Sequence, residues 1–506
     1  MLKFLKKIIN RFTIVSLALI LQIVFLFVLS TRFSDSVFQI NIGMRIFSIL
    51  VMCLMLNTSA NPAIKLAWMA LILISPIFGS VVYLLTGGKR PAKKLRKACE
   101  KSLKEAEKYT PNSPAALLKL KSESSVNYTQ AKYLQNLNFP VYENTDVKYF
   151  PLGDDVFPIM LEELEKAEKF IFIEYFIVAK GEMHDKIIEI LERKAKSGVE
   201  VRFIYDDVGS LFTLPYGYEK TLEAKGIKCH AFNPFVPVLS AVMNNRDHRK
   251  IIVIDSKVAF TGGINIADEY INKIEKYGHW KDNALMLRGN GVWGFTLMFL
   301  SMWNAFRPEG DYEKFLPEGG FKAETHGYVQ PFCDSPLDDE LVAENVYISA
   351  INAAQKYIYI YTPYLIPDHE MTSALCLAAK KGVDVKIVVP GIPDKKIAYS
   401  FTKSYYGSLI RAGVKIYKYN PGFVHAKGFV SDDCIACGGT VNLDFRSLYH
   451  HFECGCVTYH SPEVLEMKKD ILETIEKCER VENYQKFKGL IGSTYHAVLR
   501  LIAPLM

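Results

Sequence analysis

Two short stretches of the chain carry the same three side chains at the same spacing. In HRKIIVID they are His248, Lys250 and Asp255; in HAKGFVSD they are His425, Lys427 and Asp432. Both read as the head of an apolar strand. Residues i and i+2 of a strand project to one face, so each histidine points with its lysine, while Arg249 and Ala426 point away. Asp255 and Asp432 fall at the far ends, where the chain must turn, so geometry predicts that they brace turns or pair locally instead of touching a substrate. Each copy also carries a tail. SKVAFTGGIN follows Asp255 and DCIACGGTVN follows Asp432, and the interval between the two histidines also separates Gly262 from Gly439 and Asn265 from Asn442. Glycines there allow close backbone approach to a ligand, and the asparagines supply carboxamide donors.

Brought together, the copies would offer two imidazoles, two ammonium groups and two carboxamides. Two lysines repel each other unless an anion lies between them. A phosphate diester fits, its non-bridging oxygens held by Lys250, Lys427, Asn265 and Asn442, which also stabilise the charge that builds there. One neutral histidine can attack phosphorus while the other, protonated, donates to the leaving alkoxide. A phosphohistidine results, and a second alcohol collects the phosphoryl group. No sulfur or carboxylate cluster in this set calls for a metal, and no cofactor is expected. A lone histidine at a strand edge is usually structural; two His-x-Lys pairs with matching downstream Gly and Asn are not easily so.

The surrounding pattern alternates strands and helices, and it does so twice. KFIFIEYFIV (169–178) reads as a strand, HDKIIEILERKAKSG as a helix ending at Gly198, and VEVRFIYDD as the next strand. Later KYIYIYTPYLI (356–366), a helix ending at Gly382 and VDVKIVVPG repeat that order. The fold class is therefore α/β, with two pseudo-twofold-related lobes, 146–320 and 321–480, joined through a segment rich in Gly, Pro and charge near 310–325. Glu174, in EYFIV, either lines the cleft or makes a salt bridge at a strand end. His230, His279 and His450 have no partner pattern and read as structural.

Ahead of the lobes lie three apolar segments within 1–88: Phe12–Ser30, about Val37–Leu56, weakened by Asn41 and Arg45, and Leu66–Leu85 around Pro76 and Gly79. About 20 apolar residues cross a bilayer, so two or three transmembrane helices are expected, with Pro76 either kinking its helix or marking a re-entrant turn. Residues 89–145 form a basic helical linker, and 481–506 an amphipathic tail. Over the full 506 residues the formal net charge is +7, compatible with an anionic membrane face or another polyanion. The 10 cysteines are scattered, which excludes a dense disulfide framework and suits a reducing compartment. CIAC (434–437) and CGC (454–456) lack a four-ligand spacing and read as small buried residues.

The paired motifs resemble the duplicated His-x-Lys-x4-Asp signature of the phospholipase D superfamily. Within it NPAIKLAW, PIFGSVVYLLTG, FTGGINIADEY and GGTVNLDFRS are similar to bacterial cardiolipin synthases. The resemblance implies a catalytic set of His248, Lys250, Asp255, His425, Lys427 and Asp432. It implies transfer between two phosphatidylglycerol molecules to give cardiolipin and glycerol, at the cell membrane in a multi-pass protein, with membrane phospholipid and not nucleic acid as partner. It also implies His248 as nucleophile, His425 as acid and then base, and carboxylates that orient them. These are Asp282 in HWKDNALM, assigned to His248, and Glu453 in HHFECGC, assigned to His425. Asp247, Ser256, Gly263 and His451 depart from the usual asparagine, glycine, serine and asparagine, while Thr440 keeps a hydroxyl in the second copy. The rival expectations are a phospholipase D-type hydrolase, or a transferase using another alcohol. A membrane-tethered nucleic-acid enzyme is a further rival, but it would need a broader basic face.

Overall fold

The computed structural model describes residues 38–87, 93–111, 114–236, 241–482 and 490–505, together with 20, 21, 23–25, 27, 28 and 31. Most of the expected first apolar segment therefore lies outside the described residues.

The strands are β1 (Thr145–Phe150), β2 (Phe170–Tyr175), β3 (Glu200–Asp206), β4 (Lys228–Phe232), β5 (Arg246–Asp247), β6 (Lys250–Ile254), β7 (Val258–Gly262), β8 (His279–Lys281) and β9 (Ala284–Gly289). They continue with β10 (Tyr328–Asp334), β11 (Tyr357–Tyr361), β12 (Asp384–Pro390), β13 (Lys415–Tyr419), β14 (Gly422–Val424), β15 (Gly428–Ser431), β16 (Ile435–Gly439), β17 (His451–Tyr459) and β18 (Cys478–Arg480). One sheet has the order β1-β9-β7-β6-β2-β3-β4 and the other β10-β17-β16-β15-β11-β12-β13-β18. Strand for strand they match, with β18 added at one edge. In each, three strands run parallel (β2-β3-β4 and β11-β12-β13), and the motif strand, β6 or β15, joins them antiparallel.

The helices between parallel strands form for ordinary reasons. Glu182–Lys196 carries Glu182 and Asp185 in its first turn and Arg193, Lys194 and Lys196 in its last, each favourable to the helix dipole. It buries Met183, Ile187 and Leu191 against its sheet. It ends two residues before Gly198, whose φ of 94° suits the left-handed cap, and Gly382 has the same φ after His369–Lys380. The two sheets share one apolar core: Phe172, Leu287 and Phe299 of the first lobe cluster with Val430, Cys454 and Val388 of the second. The sheets approach so closely that a Cβ on Gly438 would lie 2.8 Å from Leu285.

The N-terminal region departs from the expected spans. Leu66–Leu85 is not one helix. It is a hairpin of α2 (Pro62–Ile74) and α3 (Pro76–Thr86), broken at Ser75, whose ψ of 87° is not helical. Trp68 and Tyr83 meet with ring centroids 5.5 Å apart, where a straight helix would hold them about 22 Å apart. Pro76 cannot continue the helical hydrogen bonding, and Gly79 lets the second arm pack on the first: a Cβ there would fall 2.7 Å from Ile72 Cα. α1 (Phe38–Leu56) lies beside the hairpin, with Ser48 Oγ donating to Pro76 O at 2.9 Å. Among the described residues no helix is long and apolar enough to cross a membrane. Many large apolar side chains are nonetheless exposed here, Leu73 and Ile74 at the hairpin tip by 68% and 83%. Asn61, capping α2, donates to Asp368 at 2.9 Å and to Tyr449 at 2.7 Å, tying the hairpin to the second lobe.

Candidate active site

The two motifs occupy equivalent places in the two sheets, and their aspartates do equivalent work. Asp255 accepts the backbone N–H groups of Glu168, Lys169 and Phe170 at 2.7–2.8 Å. Asp432 accepts those of Gln355, Lys356 and Tyr357 at 2.7–2.9 Å. Each sits at positive φ, 53° and 51°, in the turn that closes the motif strand. They brace β2 and β11 and belong to the turns, as spacing suggested, and not to the reacting surface. Ser256 takes the glycine-like φ of 51° at its turn, with its hydroxyl donating to Phe315 O at 2.8 Å.

The histidines are oriented by carboxylates in a crossed pattern. His248 Nδ1 donates to Glu453, 2.9–3.0 Å from its two oxygens, and His425 Nδ1 donates to Asp282 at 2.7 Å. This corrects the expected assignment, which paired each histidine with the carboxylate of its own lobe. The backbone explains the exchange. β5, just before His248, pairs with the start of β17, and His248 N–H donates to Phe452 O at 2.9 Å. β14, just before His425, pairs with β8, and His425 N–H donates to Lys281 O at 2.7 Å. Each motif therefore enters its own sheet from a pairing with the other lobe's carboxylate strand. A carboxylate on Nδ1 leaves Nε2 as the nitrogen for chemistry.

Supporting contacts differ between the copies. Glu453 also receives the hydroxyls of Thr440 and, at 2.5 Å, Ser447. Asp282 is shorter and faces Gly263, where a Cβ would lie 2.0 Å from its Oδ1. Glycine at 263 and threonine at 440 thus follow from which acid stands opposite. Asn283 holds the second motif by accepting from Lys427 N at 3.1 Å and donating to Lys427 O at 3.1 Å. Ser447 and Asn283 were not read as site residues from the sequence; their only signal was adjacency to the motifs.

Lys250 Nζ donates to His248 O at 2.6 Å; Lys427 Nζ donates to His425 O and lies 2.8 Å from His425 Nδ1. Both lysines are buried. Burial pulls Lys250 down to about 8 and Lys427 to about 7. Burial, then the charges of Lys250, Lys427 and His425, holds His248 well below its usual value; burial and Lys427 bring His425 to about 4 despite Asp282. Burial alone would raise Asp282, but His425 and Lys427 outweigh it and hold the carboxyl below its usual range. Two buried ammonium groups beside the oriented imidazoles suit a phosphate, whose non-bridging oxygens would take their remaining N–H donors.

The carboxamides differ. Asn265 accepts from Ile177 N at 3.0 Å and donates to Tyr270 Oη at 2.7 Å, whereas Asn442 Oδ1 is buried without a hydrogen-bond partner. Glu174 forms the buried ion pair with Arg249. His230 stacks on Phe306, centroids 4.7 Å apart, and His279 takes the Tyr419 hydroxyl at 3.0 Å. His451, however, lies beside His248, centroids 5.2 Å apart, buried with neither ring nitrogen hydrogen-bonded. His248, His451 and Glu453 bring donor atoms within 4.8 Å of one another and could hold a cation, though Glu453 is already occupied by three donors. The cysteines are free thiols; Cys437, Cys454 and Cys456 are buried and Cys434 half-buried.

A duplicated α/β fold with two crossed His–carboxylate pairs and two buried lysines defines the phospholipase D-like class. A family model described as cardiolipin synthase, phospholipase D-like domain, matches residues 160–279 and 347–475, and one described as phospholipase D-nuclease N-terminal matches 46–88. The chain is 34% identical over 472 residues to a cardiolipin synthase of Geobacillus thermodenitrificans, covering 91% of this chain and 94% of that one. It is 47% identical over 454 residues to an uncharacterized Streptococcus mutans protein, covering 89% and 98%. The fold is similar to the crystal structure of phosphatidylserine synthase from Haemophilus influenzae, with TM-score 0.54 and 17% identity over 74% of this chain and 98% of that one. The chain belongs to the cardiolipin synthases, a phosphatidyltransferase branch of the phospholipase D superfamily.

Proposed function

We propose that this chain moves a phosphatidyl group from one phosphatidylglycerol to a second, giving cardiolipin and free glycerol. The observation that carries the reading is the crossed pair of imidazoles, each fixed through Nδ1, beside two buried lysines. His248 Nε2 attacks phosphorus. The bond from phosphorus to the glycerol oxygen breaks, and His425 gives that oxygen a proton. His425 then takes the proton of a hydroxyl on the second phosphatidylglycerol. That oxygen attacks phosphorus and the N–P bond breaks, restoring neutral His248. Lys250 and Lys427, with Asn442, hold the non-bridging oxygens. We assign Asn265 the same task through its second N–H. The bound phosphate offsets the lysine charges and so lifts the His425 pKa towards the range an acid needs.

We further propose that membrane attachment runs through α1 and the α2–α3 hairpin, whose exposed apolar residues bury in lipid. Sequence identity to cardiolipin synthases over most of both chains supports the acceptor assignment. The test is product analysis from labelled phosphatidylglycerol and purified protein. Cardiolipin with equimolar glycerol is expected; phosphatidic acid as sole product would make the protein a hydrolase.

A further inference from the structure

A cavity of about 770 Å³ lies between the hairpin and α4 (Lys93–Glu107), away from both histidines. Its two walls have opposite character. Trp68 and Leu84 present apolar surface from the hairpin, where Lys65 has its ammonium held by Leu56 O and Thr58 O, and Lys93, Arg96 and Lys97 present three cations from α4. Glu100, paired with Arg96 at 2.8 Å, is the one acid on that wall. α4 is held to the body: Ala106 joins the shared core, and the Ser102 and Tyr312 hydroxyls lie 3.2 Å apart. The hairpin is held separately through Asn61. The space between them is thus bounded by two independently anchored elements and is not a gap along one helix.

A second cavity, of about 350 Å³, shares Ser59, Ala60, Ile64 and Gly87 with the first. It reaches Asn245, three residues before His248, and His450, which precedes His451. Its wall carries Asp338, Asp339, Glu344, Asp368 and Glu370 and no lysine or arginine, so an anionic headgroup is held by the larger cavity and not by this one.

We infer that the larger cavity binds one anionic diacyl phospholipid from the bilayer, an acyl chain against Trp68 and Leu84 and the phosphate against Lys93, Arg96 and Lys97. It is a dock that holds substrate on the hairpin side of the protein ahead of the reaction. An apolar wall alone would accept any lipid; the three cations select an anionic headgroup. A nucleic acid has no use for the apolar wall. The inference rests on the proposed phospholipid substrate for the docked lipid being a reactant, but the lipid site itself does not.

Trp68 reports on occupancy, because Trp280, Trp293 and Trp303, the other tryptophans, are buried in the lobes. Full-length protein is placed in phosphatidylcholine vesicles holding a minority of brominated phosphatidylglycerol. Trp68 emission is expected to be quenched more than by brominated phosphatidylcholine at the same mole fraction. In the triple variant Lys93→Glu, Arg96→Glu, Lys97→Glu the excess quenching disappears. On phosphatidylglycerol vesicles that variant raises KM by about tenfold or more with kcat unchanged. It turns over dispersed short-chain phosphatidylglycerol as the wild type does. Lys101→Glu with Lys104→Glu, on the same helix but outside the cavity, leaves the excess quenching and loses less in KM. Equal quenching by the two brominated lipids, or excess quenching that survives in the triple variant, overturns the dock. Selective quenching without any conversion of phosphatidylglycerol keeps the dock and overturns the proposed reaction.

Discussion

Single side chains in this site work through what holds them. His248 and His425 are equivalent in chemistry, and their partners come from opposite lobes. Glu453→Gln is expected to abolish the downfield Nδ1 proton resonance of His248 and leave that of His425, while Asp282→Asn does the reverse. In both variants kcat falls by about 10²-fold or more, the usual cost of a misplaced general base. Loss of the His425 resonance in Glu453→Gln would restore the own-lobe pairing. His451 makes a separate prediction. Burial, chiefly, lowers its pKa from 6.5 to about 3. Below pH 6.5 the unfolded chain binds a proton that the folded protein refuses, so stability is intact near neutrality and lost as pH falls. Near pH 4 the penalty reaches up to about 3 kcal/mol for this residue. His451→Asn, which cannot titrate, should recover much of that stability at acid pH and little at neutrality, measured by denaturant unfolding at both. An equal shift at both pH values would refute it.

At the scale of elements, the motif strands, the helices between parallel strands and the turn role of Asp255 and Asp432 were legible in the sequence. They follow from local rules: alternation, capping glycines, and carboxylates at strand ends. The crossed carboxylates were not legible. Asp282 follows the first motif in the chain, and nothing local says that β8 leaves its own lobe to pair with β14. The helical hairpin was half legible. Pro76 offered a kink or a reversal, and the close contact at Gly79 decides it. Gly263 gives the test at this scale. Gly263→Ala pushes on the Asp282 carboxylate and should lower kcat at least about tenfold while costing about 1–3 kcal/mol of stability. The equivalent Thr440→Ala, which only removes a donor to Glu453, should keep the fold and lower kcat less. Unchanged kcat in Gly263→Ala would show that Asp282 need not stand where it does.

The two lobes share a core and trade site residues, so they should unfold as one cooperative unit. Lys281, carried beside Asp282 at the lobe boundary, is buried and pairs with Asp470 of the second lobe at 2.8 Å. The Tyr149 and Tyr361 hydroxyls donate to the same carboxylate at 2.7 and 3.0 Å. Asp470→Ala strands a buried ammonium and should cost about 3–5 kcal/mol, with both lobes still melting in a single calorimetric transition. Separate transitions would contradict a shared core. If the lobes set two imidazoles on one phosphorus with His248 as the attacking one, a covalent intermediate must form on His248. Rapid acid-free quenching of the enzyme with phosphorus-labelled phosphatidylglycerol, followed by peptide mapping, should place the label on His248. No label should be trapped in His248→Ala; label on His425, or release of glycerol with no covalent intermediate at any time point, would rule out His248 as the nucleophile.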